Sequence, residues 1–95
     1  MFGLFDTPEE KLKKSVNKAI DKEIRIMGKE SSIEFLEAMN VQFAIMNVYE
    51  SHTTHASLLA QGHGLPLSKT LSIIKDCVND ALLKNLSNGK DLLIP

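Results

Sequence analysis

His52 and His55 are the residues of this chain best suited to chemistry. Two imidazoles three positions apart on a helix share a face and can bind one divalent metal. Glu50 precedes the pair by two residues, and His63 follows it by eight. The Glu-between-two-His arrangement at i,i+4 that marks metalloproteases is missing, and no third ligand is specified. The expectation is therefore no bound metal and no cofactor, with His52 and His55 as polar residues at a helix bend. A histidine metal site stands as an alternative reading.

Nucleophilic catalysis has less support. The sequence holds no Gly-x-Ser-x-Gly elbow and no Walker loop, and Gly62-His63-Gly64 opens no phosphate cradle. Cys77 falls between Ile74 and Val78, beside an apolar seam, where a buried thiol behaves as a small hydrophobe. It is the one cysteine of the chain, which excludes an intramolecular disulfide and fits a reducing compartment. No catalytic residue is assigned. The expected protein is a non-enzymatic, cytoplasmic one.

The clearest patterned feature is basic. Lys11, Lys14, Lys18, Lys22, Arg25 and Lys29 follow one another at helical spacings and fall within about 80° of a helical wheel. Lys14, Lys18 and Lys22 form a column of like charge, each pair unfavourable by about 0.2–0.5 kcal/mol. Such a stripe is either a solvated face or a contact face for an acidic protein partner. A binder of nucleic acid or an anionic surface is the alternative from another class. The net charge of −1 disfavours nucleic acid as the partner of the whole chain. Ser68, Lys69 and Thr70 are of phosphate-contacting type and open a helix after a glycine-containing turn, in the outline of a helix-turn-helix unit. Asp76 and Asp80 make that helix too acidic to read a phosphate groove, so Leu59–Ile73 reads as an αα-hairpin.

These residues need helices to position them, and the sequence supplies three or four. Thr7-Pro8-Glu9-Glu10 is a helix start, with Thr7 as N-cap, Pro8 at the first position and Glu10 completing a capping box. Leu12, Val16, Ala19, Ile20, Ile24 and Met27 then recur at steps of three and four, predicting helix 8–27 before the stop at Gly28. Ser31 and Glu34 cap the next helix, predicted over 32–61 as one continuous element with a bend possible at Ser51-His52-Thr53-Thr54. Gly62 and Gly64 supply positive φ in the following break, and Pro66 holds Leu65 extended. Leu67, Leu71, Ile74, Val78, Ala81, Leu82 and Leu86 predict a last amphipathic helix over 67–87. Residues 90–95, with Leu92, Leu93 and Ile94, read as an apolar tail docked on the surface.

The central helix differs in kind. Apolar residues from Ile33 to Tyr49 cover its whole circumference, and between Glu37 and Glu50 it carries no charge. A helix apolar all round is a buried helix. Three helices in one chain of 95 residues leave each helix one wet face, and a second copy is the simplest cover for it. Phe35, Met39, Phe43, Met46 and Tyr49 are the expected oligomer interface. Asn40, Asn47 and Thr54 lie on one line of the helix and either fix register in that interface or mark a solvated strip.

The sequence thus specifies an all-α, single-domain bundle over residues 1–95, 43% apolar and 24% charged, completed by homodimerisation. Met1 to Phe5 is apolar but followed by acidic residues, unlike a secretory signal. The run Ala38 to Tyr49 falls well short of the about twenty apolar residues that a membrane span needs. The expected function is a protein–protein interaction or regulatory module whose partners are itself and an acidic protein.

Overall fold

A computed structural model describes residues 6–28 and 34–95, with only the backbone described for Gly28 and for residues 34–37. Lys29, the Ser31 cap and the side chain of Phe35 therefore lie outside the described residues, as do Met1 to Phe5. Four α-helices follow in order: α1 (Pro8–Gly28), α2 (Glu34–Thr54), α3 (Ala56–His63) and α4 (Leu67–Asn85), then a short 3-10 helix, Gly89–Leu92. Among the described residues there is no strand. No helix there is long and apolar enough to cross a membrane.

The start of α1 is held as its sequence demands. Thr7 Oγ1 accepts the Glu10 backbone N–H at 3.2 Å, one of the donors that a helix N-terminus leaves unpaired. Glu9 and Glu10 in the first turn and Arg25 in the last complement the helix dipole. The three long helices pack against one another, and α3 joins them at one end. Their shared centre is aliphatic: Leu12, Val16, Ile20, Ile45, Ile74, Val78 and Leu82 are fully or almost fully buried. Cys77 belongs to the same cluster, as a small apolar side chain would.

Three departures from the expected elements have local causes. The predicted continuous helix 32–61 is interrupted at His55, one residue past the expected bend, so α2 and α3 are separate. His52 Nδ1 and Thr53 Oγ1 turn back on the carbonyls of Val48 and Tyr49, and His55 Nδ1 on that of Ser51. Side chains that bond i−4 carbonyls compete with the helical ladder and bend it. The ladder is crossed and not abolished, since the His55 N–H still donates to Ser51 O at 3.2 Å and the Leu59 N–H to His55 O at 3.0 Å.

Gly62, expected in the break, lies inside α3 instead. Among the described residues Gly64 alone carries the left-handed conformation, at φ 65°. Its N–H reaches Gln61 O, and that of Leu65 reaches Ala60 O at 2.9 Å. This pair of bonds is the Schellman closure, which wants glycine at the first residue past the helix. One such residue suffices, so Gly62 is free to be helical.

The buried face of α4 is also rotated from the predicted seam. Thr70, Ile73, Ile74, Cys77, Val78, Ala81 and Leu82 are buried, whereas Leu67 and Leu71 are exposed. Thr70 can face the core because its hydroxyl donates to Pro66 O at 3.1 Å, leaving no unmet polar group. The helix ends at Asn85, two residues before the predicted boundary. Residues 89–95 fold back on it, with Leu92 and Ile94 packed against the core.

Candidate interaction surface

The molecule is flat, 42 × 32 × 20 Å, and its short dimension is about two helix diameters. Among the described residues, helix α2 therefore packs inward with one side and has no layer beyond the other. Ala44, Ile45 and Val48 are buried, while Val41 and Tyr49 pack partly against the core. At 100° per residue, Met39, Phe43, Met46 and Glu50 fall within about 60° on the opposite side. Phe43 is 53% exposed and Met39 37%, and Met46 is half-buried. Among the described residues, nothing fully covers this side of α2.

This strip continues onto α4. Tyr49, one turn after Met46, borders an open depression of about 390 Å³ with Ser68, Leu71, Ser72 and Lys75. Leu71 is exposed and has Leu67 one turn before it, also exposed. The sequence placed both leucines in the core seam and so missed them as surface. Their signal is Thr70: a hydroxyl that can bond back to the residue four before it can occupy the core position, turning its neighbours outward. Asn47 and Thr54 are exposed and Asn40 half-buried. Asn47 Nδ2 donates to Met27 Sδ of α1 at 3.9 Å, so this polar line runs along the α1 border of the strip.

The basic face of α1 lies elsewhere. Lys11, Lys14, Lys18, Lys22 and Arg25 are all exposed, opposite buried Leu12, Val16 and Ile20. Lys14 Nζ donates to Asp6 Oδ2 at 2.6 Å, the ion pair found among the described residues. That bond holds the Asp6 carboxyl below the ordinary aspartate value, against an opposing desolvation effect.

His52 and His55 each face a carbonyl four residues back. His52 Nδ1 lies 2.9 Å from Val48 O, and His55 Nδ1 lies 2.9 Å from Ser51 O. His63 repeats the arrangement with Leu59 O at 2.9 Å. A carbonyl can only accept, so each contact places a proton on Nδ1. Each ring is thus tied to its own helix. His52 borders an open depression of about 370 Å³ between α1 and α2, with Glu23, Asn47 and Ser51. Among the described residues no three His, Cys, Asp or Glu side chains converge as a metal site.

Cys77 is buried, its Sγ 3.9 Å from Lys13 O. Burial pushes its thiol above the ordinary value, with smaller opposed effects of Lys13 on one side and Asp80 and Asp76 on the other. A thiol so held is a poor nucleophile.

Compared with protein-family models, curated proteins and solved structures, the chain has no significant match.

Proposed function

We propose that this chain is a non-enzymatic helical interaction module that works as a homodimer, with the outer strip of α2 as the seam. The observation that carries the reading is the exposure of Phe43, beside Met39 and Met46, on one side of α2. A contiguous apolar patch of this kind is unusual on a monomer. Fully burying one such side chain is worth about 1.5–3 kcal/mol, and a two-fold axis places every contact twice. Light scattering after size exclusion should give about twice the chain mass at micromolar concentration. Phe43→Glu should give the mass of one chain with its helical circular dichroism intact, because the change falls on a side chain already half in water. A wild-type protein that stays monomeric and binds no hydrophobic dye would end this reading.

A second reading rests on the exposed cations of α1. Lys11, Lys18, Lys22 and Arg25 present one basic face to an acidic protein or another anionic surface, in a chain that works in the cytoplasm. Exposed charge pairs are screened over about 8–10 Å at physiological salt. Binding through this face should therefore weaken as salt rises and be lost in Lys14→Glu/Lys18→Glu/Lys22→Glu, while the dimer survives. Dissociation of the dimer by that triple change would move the stripe into the seam.

A further inference from the structure

The exposed cations of α1 form a continuous surface. Lys11, Lys14, Lys18, Lys22 and Arg25 are all exposed and lie within about 80° of the helix circumference. At a rise of 1.5 Å per residue they cover about 21 Å of its length. Glu10 and Asp21 border the stripe on one side. On the other side stand Ser15 and then Ile26, a branched apolar residue that is 50% exposed. From Lys14 round to Ile26, an arc of about 120°, α1 has no Asp or Glu. Lys14 is paired with Asp6, and among the described residues the other four cations make no ion pair.

The residue types favour one kind of anionic partner over another. Four of the five cations are lysines. Lysine is depleted in protein–protein interfaces and arginine enriched, because the compact ammonium holds its water more tightly than the guanidinium does. A row of lysines beside an exposed isoleucine suits a partner that offers many anions in a hydrated layer above an apolar one. A lipid headgroup region is such a layer.

The sequence entering α1 supplies a matching apolar component. Met1-Phe2-Gly3-Leu4-Phe5 lies outside the described residues, and it carries two phenylalanines, a leucine and no charged side chain. Asp6, next after Phe5, accepts a hydrogen bond from Lys14 Nζ at 2.6 Å, which sets the junction with this segment beside the basic stripe. Phe and Leu are side chains that enter the boundary between headgroups and acyl chains. One weak anchor holds a protein only marginally at a membrane, and an apolar anchor with a polybasic patch holds it stably.

We propose that α1 and the five residues before it form a docking surface for a membrane of anionic phospholipid. Lys11, Lys18, Lys22 and Arg25 face the headgroups, and Phe2, Leu4 and Phe5 enter the layer beneath them. The inference rests on the basic-face reading and names the partner of that face. Each Lys or Arg close to such a surface strengthens binding about fivefold, and the attraction fades within a Debye length. The helix lies along the membrane plane and does not cross it, in keeping with its many charges.

The test is co-sedimentation of the full chain with vesicles of phosphatidylcholine and phosphatidylserine, beside vesicles of phosphatidylcholine alone. The wild type should bind the mixed vesicles about a hundredfold or more tightly, and added salt should release it. Lys14→Glu/Lys18→Glu/Lys22→Glu should lose that gain while keeping its helical circular dichroism. Phe2→Ser/Leu4→Ser/Phe5→Ser should bind about tenfold or more weakly than the wild type. The chain has no tryptophan, so Phe5→Trp gives a single reporter, whose emission should shift to the blue on mixed vesicles alone. A wild type that does not prefer the mixed vesicles overturns the proposal. Salt-sensitive capture of poly-glutamate, lost in the triple lysine variant, would then leave the basic-face reading standing with an acidic protein as partner. Capture of neither would remove both readings. Undiminished binding by the serine variant, with no shift of the tryptophan, also overturns the proposal, because the apolar segment would then stay outside the membrane.

Discussion

A methyl group added at Gly62 and one added at Gly89 meet different surroundings. At Gly62, inside α3, an added Cβ finds nothing within 4 Å. Gly62→Ala should stabilise the protein by about 0.5–1 kcal/mol, since glycine inside a helix costs that much conformational freedom. At Gly89 the same atom would overlap the carbonyl of Leu82 and press on Leu83 Cα. These are backbone atoms of α4, so relief requires moving the helix or the 3-10 turn. Gly89→Ala should destabilise by about 1–3 kcal/mol, the usual size of an overpacking penalty. Urea unfolding of the two variants beside the wild type checks the pair. Equal effects would mean that the turn at Gly89 does not sit against α4 in solution. The residue scale also fixes what Cys77 can do. Its raised pKa keeps the thiol neutral in the folded state, so any contribution to stability is present below the unfolded value and fades as pH rises through it.

At the scale of the element, the α2–α3 junction is built from side chains bonded to their own helix. His52 and His55 each engage a carbonyl four residues back, and Ser51 O also receives the His55 N–H. Replacing both histidines with Ala removes bonds at a partly wetted bend and leaves the core of Ile45, Val48 and Ala56 intact. The double variant should therefore change stability by less than about 1 kcal/mol, as read by thermal unfolding. Stoichiometric zinc in untagged wild-type protein would instead give the imidazoles a ligand role. This junction also marks the limit of what the sequence made legible. The start of α1, its buried face and the break after α3 could be read directly, because caps, helical period and glycine act within a few residues. The interruption at His55 depends on which of several Ser, Thr and His side chains turns back, which helical period does not encode. The rotation of α4 is of the same kind. Leu67 and Leu71 fit a seam as well as Thr70 and Ile73 do, and only the positions of α1 and α2 choose between them. The α2 strip was legible as apolar and the lysines of α1 as a stripe. The bonds between Asn79 and the Ile94 backbone were not, since they join residues fifteen apart through an extended segment without periodicity.

For the whole molecule, the decisive quantity is the dependence of stability on concentration. If two copies cover the α2 strips of each other, unfolding also dissociates them, and mass action couples the melting temperature to the amount of protein. A tenfold increase in concentration is worth about 1.4 kcal/mol for the dimer. For a cooperative unit of two such chains, that corresponds to an increase of about 3–6 °C in Tm. The wild type should show this slope by calorimetry across two decades of concentration. Phe43→Glu should lose it, with a Tm independent of concentration, because its half-exposed position separates association from folding of the monomer. The comparison discriminates where a single measurement of mass does not. A compact dimer and an elongated monomer can elute alike, but only the dimer melts later when concentrated. A wild-type Tm that stays constant over the same range would leave the strip of Met39, Phe43 and Met46 as surface for another protein. A slope that persists in Phe43→Glu would put the seam elsewhere, first of all on the exposed Leu67 and Leu71 of α4.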